Sequence, residues 1–275
     1  MMQLPIHRFA RAAGENAIKQ IGVTHLIKKA IGRNDTGGVR WDQRSVDENL
    51  HKIGWVSAKV MNHIDVRGKT GVEIGPGDNL GVCYRMLMGG AARMYGVEKF
   101  ASIEPEWNRK LFAKMSGESI GLAPHHVQAL FEDFHPQEPV HFIYSHDVIE
   151  HVDPASVFRH AFDLLEPGGD FFNCVDFTGH GVFHNLDRPL DFLTCPDFLW
   201  RVLFSAMETT NRIRWSELLE IARQRGFEIV RAHTLRRVAP DYVESIRPHL
   251  LQRYQKFSNE DLSVTHCELH LRKPL

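Results

Sequence analysis

Short apolar runs alternate along the chain with segments whose apolar residues recur every three or four positions. The second spacing marks one face of a helix, whereas short continuous apolar runs mark buried strands. After the first predicted strand, for example, Leu80, Tyr84, Leu87 and Met88 form one helical stripe. Alternation of this kind is typical of α/β folds, in which helices cover a largely parallel sheet. The pattern predicts seven strands: Gly71–Ile74, Met94–Glu98, Val127–Leu130, His141–Ser145, Asp170–Val175, Phe227–Ala232 and Val264–Leu271.

Capping residues set the limits of several predicted helices. One helix is expected from Ser45 to about Met61, directly before the first strand. Asp153–Pro154 is a typical N-cap and first-turn pair for a helix that ends at Leu165. A later helix should run from Ser216, as its N-cap, to Arg225, with Gly226 as its C-cap.

The stretch Thr70–Gly81, which reads TGVEIGPGDNLG, joins the first strand to the helix that follows it. Glycines such as Gly75 and Gly77 accept positive φ angles and let a ligand approach the backbone, while the next helix begins with unpaired N–H groups. An acidic residue, Glu73, lies two positions before the first of these glycines. The combination predicts a nucleotide-type pocket.

The details of this loop argue against a diphosphate ligand. A dinucleotide fingerprint has the spacing GxGxxG, whereas this loop has GxGxxxG and Pro76 has no N–H to donate. A phosphate loop ending in the GKT at Gly68–Thr70 would need a glycine where this chain has His63. A second acidic residue, Glu98, ends strand 2 near the position that binds ribose hydroxyls in such folds. We therefore expect a cationic, phosphate-free ligand with a ribose and an amino-acid tail.

Several ordered motifs make the chain resemble the class I S-adenosylmethionine-dependent methyltransferases. They are VEIGPGDNLG, GVEKF, FIYSHDVIEHV, LLEPGGDFF and RWSELLEIARQRGFEIV, and the resemblance covers about Lys69–Ala232. It implies a Rossmann-like α/β fold with a seven-stranded, mostly parallel sheet whose last strand is antiparallel and lies at the edge. It also implies S-adenosyl-L-methionine as cofactor and S-adenosyl-L-homocysteine as product.

The resemblance also implies which residues hold the cofactor. In the family, a carboxylate after strand 3 takes the adenine amino group, which points to Asp133; a solvated loop charge is the alternative. The glycine spacing departs from the family's GxGxG, so the cofactor contact at Asp78 does not carry over directly from the family's motif. The predicted cofactor-binding residues are Glu73, Gly75, Gly77, Asp78, Glu98, Asp133 and Ser145.

The segment after strand 4 matches the family's pattern of a serine followed by an EHV triplet, here Ser145 and residues 150–152. Ligands of open α/β sheets lie beyond the carboxyl ends of the strands, so Ser145, His146 and Asp147 should face the transferable methyl group. We interpret His151 first as a helix-start residue bonded within its loop, with catalysis as the alternative.

Residues 176–214 are too long for an ordinary connection between a strand and a helix, which takes about 2 to 6 residues. The segment carries histidines and many aromatic residues, so we predict a lid or substrate-binding insertion. Its His180 is the first choice of base, because a histidine after strand 5 could remove a hydroxyl proton during methyl transfer. The predicted catalytic residues are His180, His146 and Asp147.

A metal-assisted mechanism is a less favoured alternative. A divalent ion could bind Asp147 after strand 4 and Asp176 after strand 5, together with substrate oxygens. Spacing along the sequence does not show that these carboxylates converge. The predicted site therefore includes no metal ligand.

Composition narrows the function further. The net charge of −1 and the neutral pI do not favour a nucleic-acid partner. The four scattered cysteines form no CxxC pair and suit a reduced, cytoplasmic protein. We see no secretory signal and no run of roughly 20 apolar residues that could span a membrane.

The first part of the chain differs from the rest. We divide the protein into an N-terminal helical extension, residues 1–44, and one methyltransferase domain, residues 45–275. In residues 1–33, the near-helical spacing of the apolar residues and the excess of basic residues predict one or two basic amphipathic helices. Such a helix can pack over the cofactor site or onto a second subunit of a homodimer, and the alternative is peripheral contact with an anionic membrane.

The acceptor is the least defined part of the prediction. The motif IGPGDNLG, the aromatic insertion and NRIRWSELLE resemble bacterial methyltransferases that modify surface glycans or small metabolites. This resemblance implies O-methylation of a sugar or another small-molecule hydroxyl, by in-line transfer with a histidine base. The alternatives are methylation of a lipid or quinone at the membrane surface, and a non-catalytic S-adenosylmethionine-binding protein.

Overall fold

The computed structural model describes residues 46–100, 105–116, 123–204 and 210–275, together with Ala10, Ala13, Gly14, Ala17 and Ile103. Most of the predicted extension, residues 1–44, therefore lies outside the described residues, although the four described positions within it are helical. The division of the chain at residue 45 stays a prediction.

The core of the protein is one seven-stranded sheet with the order β3-β2-β1-β4-β5-β7-β6. Every neighbouring pair from β3 to β5 is parallel, and β7 is antiparallel to both of its neighbours. The strands are β1 (Thr70–Ile74), β2 (Arg93–Val97), β3 (His125–Val127), β4 (Val140–His146), β5 (Leu165–Asp176), β6 (Glu228–Arg237) and β7 (Val264–Arg272). This mostly parallel sheet with an antiparallel last strand confirms the predicted Rossmann-like α/β fold.

Helices cover both faces of the sheet. They are α1 (Val46–Met61), α2 (Gly81–Met88), α3 (Pro105–Ser116), α4 (Pro154–Leu164), α5 (Asp197–Phe204), α6 (Trp215–Gln224), α7 (Pro240–Ile246) and α8 (Asn259–Ser263). The predicted cap of α4 is confirmed, because the Asp153 side chain accepts hydrogen bonds from the backbone of Ala155 and Ser156. Single 3₁₀ turns connect several of these elements.

The sheet separates two apolar layers. Successive side chains of a strand point to opposite faces, so Phe142 and Tyr144 of β4 pack with α1, α2 and α3, whereas Ile143 packs with α4 and α6. All three side chains are fully buried. Burial on both faces explains why the sequence of β4 contains a continuous apolar run.

A third apolar cluster joins the insertion after β5 to the segment that follows β6. Phe183 and Phe192 of the insertion pack against Trp200, with ring centroids 5.7 and 6.2 Å apart. The same cluster includes Val243 and Ile246 of α7. Phe198 of the same insertion lies on α5 with 70% of its surface exposed, outside this cluster.

Two strand predictions are wrong in position. The antiparallel strand β7 lies between β5 and β6, so β6 and not β7 is the edge. Strand β3 covers His125–Val127 instead of Val127–Leu130, since Leu130 is half exposed and precedes a 3₁₀ turn.

Long-range contacts also move two predicted boundaries. Strand β5 begins within the predicted end of α4, because Leu165 pairs with Val140 of β4, and Gly168 and Gly169 then pair with Lys273. Ser216 is not the N-cap of α6: its backbone N–H donates to Asp261, and Arg214 occupies the cap position.

Candidate active site

The loop after β1 and the loop after β4 meet at the carboxyl edge of the sheet. Gly75 and Gly77 have φ angles of 65° and 79°, which favour glycine. A Cβ atom added to Gly75 would lie 2.8 Å from a methyl group of Val148, so only a glycine allows this close approach. The glycine loop is therefore held beside the residues that follow β4.

Glu98 lies against the same loop at the end of β2. Its Oε2 accepts a hydrogen bond from the backbone N–H of Gly77 at 3.0 Å, and its Oε1 accepts one from Phe100 at 3.1 Å. Burial raises the pKa of this carboxyl, although the two backbone donors act in the opposite direction. Glu98 directly follows β2, and its contact with a ribose stays a prediction.

Glu73 points into the core and away from solvent. Its Oε2 accepts a hydrogen bond from Sγ of Cys83 at 3.0 Å, and Tyr144 also interacts with the carboxyl. Burial raises the pKa of Glu73 despite these contacts. The side chain joins β1 to α2 and β4, and its direct contact with a cofactor stays a prediction.

Asp78 and its neighbour Asn79 shape the turn into α2. Nδ2 of Asn79 donates to Oδ1 of Asp78, and Oδ1 of Asn79 accepts from the backbone of Gly81, both at 2.9 Å. The amide of Asn79 therefore satisfies a backbone donor at the beginning of the helix. Asp78 is partly exposed beside the glycine loop.

The two remaining predicted cofactor residues differ in exposure. Asp133 is exposed at the end of a 3₁₀ turn after β3. Ser145 is buried, and its hydroxyl donates to Oδ1 of Asn173 on β5 at 2.7 Å. This hydrogen bond links β4 to β5.

His146 and Asp147 lie close together where β4 ends. Nδ1 of His146 is 3.0 Å from Oδ2 of Asp147, and the ring of Trp55 packs edge-on against the imidazole. Asp147 has a left-handed φ of 56°, a conformation that costs energy in most residues and that Asp tolerates. Burial raises the pKa of Asp147, but the hydrogen bond from His146 and the charge of Lys52 outweigh it, so the net shift is downward.

The predicted base, His180, is paired with a carboxylate. Its Nε2 lies 3.1 Å from Oδ2 of Asp176, and Nε2 of His266 on β7 lies 3.5 Å from the same oxygen. Burial opposes ionisation of Asp176, yet hydrogen bonds from His180 and His266 hold its pKa well below the usual range. Asp176 can thus orient the imidazole of His180.

Beside this pair, Glu150, His151 and His180 each place a potential ligand atom within 4.8 Å of the others. Glu150 is 1% exposed, and neither of its oxygens has a hydrogen-bond partner among the described residues. Burial, followed by the charge of Asp147, raises its pKa well above the ordinary value. The rings of His151 and His180 are 4.9 Å apart.

Asn211 fastens the turn that carries Glu150 and His151. Its side-chain amide donates to the carbonyl groups of Ile149 and Val152 at 2.7 and 2.8 Å. Its backbone N–H donates to the carbonyl of Glu150. The end of the insertion therefore fixes the geometry of the EHV turn.

A groove of about 880 Å³ opens next to this turn. It lies between Val152–Pro154, residues 211–213 and the outer face of α6. Among the described residues that line it, none is a predicted site residue. Its volume suits a small-molecule ligand.

Together these features define an α/β fold in which a glycine loop and Glu98 lie at the same edge of the sheet as a cluster of carboxylates and imidazoles. The sequence model of the family described as Methyltransferase domain matches residues 39–232, more than half of the chain. The chain belongs to this family. It is an S-adenosylmethionine-dependent methyltransferase. No curated protein matches its sequence.

Solved structures share the fold at low sequence identity. Geranyl diphosphate C-methyltransferase from Streptomyces coelicolor A3(2), in complex with Mg²⁺, geranyl diphosphate and S-adenosyl-L-homocysteine, is 15% identical with a TM-score of 0.55; the match covers 83% of this chain and 82% of that one. Phosphoethanolamine N-methyltransferase 2 from Haemonchus contortus, in complex with S-adenosyl-L-methionine, is 15% identical with a TM-score of 0.51, covering 82% and 53%. An S-adenosylmethionine-dependent methyltransferase from Mesorhizobium loti is 18% identical with a TM-score of 0.48, covering 80% and 97%.

The sequence did not single out every residue of the cluster. Glu150 is recognisable in the sequence only as part of the EHV triplet, and His266 only as part of a predicted strand. The position of His266 beside Asp176 depends on the pairing of these two residues across β5 and β7. The hydrogen bonds by which Asn211 holds the EHV turn join residues about 60 positions apart in the chain.

Proposed function

We propose that the enzyme transfers the methyl group of S-adenosyl-L-methionine to a hydroxyl of a small molecule, such as a sugar. The observation that carries this proposal is the His180–Asp176 pair, which lies beside the EHV turn at the carboxyl edge of the sheet. An aliphatic hydroxyl has a pKa far above 7, so its methylation benefits from a nearby group that removes or stabilises the proton. A histidine oriented by a carboxylate suits that task.

In this proposal the cofactor lies across the ends of β1, β2 and β4. Its ribose hydroxyls bind Glu98, and its methionine end lies along Gly75 and Gly77. Asp133 binds the adenine amino group. The methyl group then points toward His146, the last residue of β4, and Asp147, which follows it.

The remaining organisation forms part of the same proposal. Residues 45–275 make one catalytic domain, in which residues 176–214 act as the lid over the acceptor. The N-terminal extension covers the cofactor site or joins a second subunit. A cytoplasmic location is supported by four free cysteines, all buried: Cys83, Cys174, Cys195 and Cys267.

The test is a transfer assay with labelled S-adenosyl-L-methionine and a panel of sugars, nucleotide sugars, phenols and amines. The proposal predicts release of S-adenosyl-L-homocysteine and a methyl ether with a hydroxyl acceptor. His180→Ala should lower turnover by roughly 10²-fold or more and leave cofactor affinity unchanged. Methylation of amines alone, or full turnover by the folded His180→Ala variant, would contradict it.

A lipid or quinone acceptor is a second candidate, favoured by exposed apolar side chains in the insertion. Phe198 and Val202 are 70% and 58% exposed and lie one helical turn apart on α5, so they share a face. The predicted basic helices of residues 1–33 would add peripheral membrane contact.

A liposome co-sedimentation assay tests this candidate, which predicts that the full chain binds liposomes. The double variant Phe198→Ser, Val202→Ser and a deletion of residues 1–33 should each weaken this binding. Absence of binding by the full chain would remove it.

A further inference from the structure

We propose that Glu150, His151 and His180 bind one divalent transition-metal ion, which in turn holds the acceptor oxygen. The inference rests on the proposed function and refines it, because it makes His180 a metal ligand instead of a free base. It begins from the position of the three ligand groups, which lie within 4.8 Å of one another at the carboxyl edge of the sheet.

The carboxyl of Glu150 is the first support. It is 1% exposed, and both of its oxygens lack a hydrogen-bond partner among the described residues. The backbone N–H groups of Glu150 and Asp176 lie near the carboxyl and lower its pKa, but burial and the charge of Asp147 outweigh them. A buried polar group without a partner costs about 1–3 kcal/mol, so such groups are usually paired or bound to a ligand. A cation between Glu150 and the two imidazoles would complete the coordination of this carboxylate.

One ion can bind all three groups after a movement of their side chains. Nitrogen and oxygen ligands lie about 2.0–2.2 Å from an ion such as Zn²⁺, so two ligands of one tetrahedral ion lie roughly 3.3–3.6 Å apart. The ligand atoms of the cluster lie within 4.8 Å of one another, so the most distant pair must approach each other when an ion binds. Rotation of the His151 and His180 rings, whose centroids are 4.9 Å apart, would bring their nitrogens toward the carboxyl.

The surrounding residues already hold the ligands as metal sites require. A metal-bound histidine usually directs its second ring nitrogen to a carboxylate. Nε2 of His180 does so with Asp176 at 3.1 Å, so Nδ1 would be the nitrogen that binds the ion. Asn211 fixes the turn that presents Glu150 and His151. These contacts exist in the protein without an ion and would preorganise the site.

The donor set indicates the class of metal. Two imidazoles and one carboxylate favour ions such as Mn²⁺, Fe²⁺, Co²⁺ or Zn²⁺, whereas Mg²⁺ and Ca²⁺ prefer oxygen ligands. Three protein ligands leave positions open for the acceptor. Asp147 and Asp176 add negative charge beside the cluster, and both charges raise the pKa of Glu150.

The metal would activate the acceptor hydroxyl. Binding to the ion lowers the pKa of the hydroxyl, whose O–H bond breaks with release of the proton to water. A lone pair of the resulting alkoxide forms the new bond to the methyl carbon. The bond between that carbon and the sulfonium sulphur breaks, and its electron pair returns to sulphur as neutral S-adenosyl-L-homocysteine. One ether and one proton result from each transfer.

The experiment uses the full chain after treatment with a chelator and removal of that chelator. Mn²⁺, Co²⁺, Zn²⁺ and Mg²⁺ are each titrated by calorimetry, and bound Co²⁺ is also followed by its visible absorption. The proposal predicts one site per chain that prefers the transition metals. Glu150→Gln and His151→Gln should each weaken Co²⁺ binding by at least 10-fold, and Glu244→Gln, an exposed change on α7, should have no effect.

Circular dichroism and thermal melting confirm that each variant is folded before its affinity is interpreted. If Glu150→Gln does not fold, His151→Gln and the spectrum of bound Co²⁺ carry the test. Absence of binding by the wild type, equal binding by the folded variants, or a preference for Mg²⁺ would overturn the metal site.

Titration with S-adenosyl-L-homocysteine without metal separates this inference from the proposed function. Cofactor binding and hydroxyl methylation that persist without metal would overturn the metal site and return His180 to the role of base. Metal binding with the predicted variant effects, but without methylation of any hydroxyl, would support the metal site and refute the proposed acceptor class.

Discussion

Replacement of Glu98 by Gln tests the assignment of the cofactor pocket. An ionised carboxylate offers about four lone-pair sites. Two are used by the backbone N–H groups of Gly77 and Phe100, at 3.0 and 3.1 Å, and two remain for ribose hydroxyls. The amide of Gln keeps one acceptor oxygen, carries no charge and places an NH₂ group where an acceptor is needed.

The expected loss follows from these bonds. A hydrogen bond to a charged group contributes about 1.5–3 kcal/mol. Loss of one such bond to the ribose should weaken binding of S-adenosyl-L-homocysteine by about 10- to 150-fold. The Gln variant should also loosen the glycine loop, because Gly77 or Phe100 loses its acceptor.

Calorimetric titration of the wild type, Glu98→Gln and the surface control Glu244→Gln measures the effect. Melting temperatures separate a change in the pocket from a change in overall stability. A folded Glu98→Gln variant that binds the cofactor as tightly as the wild type would refute the ribose role of Glu98, and with it the cofactor position that we propose.

The remaining predictions concern stability and positioning. Asp170 is buried and accepts hydrogen bonds from His270 and Arg272; breaking such a pair costs about 3–5 kcal/mol, so Asp170→Asn should show a corresponding loss in chemical denaturation. Burial opposes its ionisation, but these partners give a net downward shift of its pKa, so its stabilisation is present above the unfolded pKa of about 3.9 and is lost as pH falls through the lower folded pKa. Acid titration of stability should therefore show a weaker pH dependence for Asp170→Asn than for the wild type, and an equal dependence would contradict this. Arg214 is fully buried and donates to three backbone carbonyls; Arg214→Lys should lose about 3 kcal/mol in the same denaturation assay, because an ammonium cannot reproduce the planar fork. Asn211→Ala should lower kcat by about 10-fold or more with cofactor affinity unchanged, because the EHV turn loses its clamp; unchanged kcat in the folded variant would limit Asn211 to a structural role.

Local sequence predicted the elements whose character depends on neighbouring residues. The apolar run of β4 requires burial on both faces, and the Asp153–Pro154 cap requires only adjacent backbone donors. The positive φ angles of Gly75 and Gly77 agree with the tight turn expected between β1 and α2. These features follow from hydrophobic periodicity and backbone sterics.

Features that depend on distant residues were not predictable in this way. Strand β5 starts where Leu165 pairs with Val140 of β4, and its residues Gly168 and Gly169 pair with Lys273, more than 100 residues away. The position of β7 between β5 and β6 is likewise a property of strand pairing.

The same limit applies to the site. Glu150 belongs to a recognisable triplet, but the sequence does not show that its carboxyl is buried without a partner and lies beside His180. Nor does the sequence show that the hydroxyl of Ser145 donates a hydrogen bond to the side chain of Asn173. Both facts come from side chains on different strands or loops.

The most direct test of the account is a crystal structure of the full chain with S-adenosyl-L-homocysteine. The account predicts ribose hydroxyls on Glu98, the homocysteine tail along Gly75 and Gly77, and the sulphur directed toward the cluster of Glu150, His151 and His180. A cofactor bound elsewhere, or one whose sulphur faces away from these three residues, would contradict the proposed site.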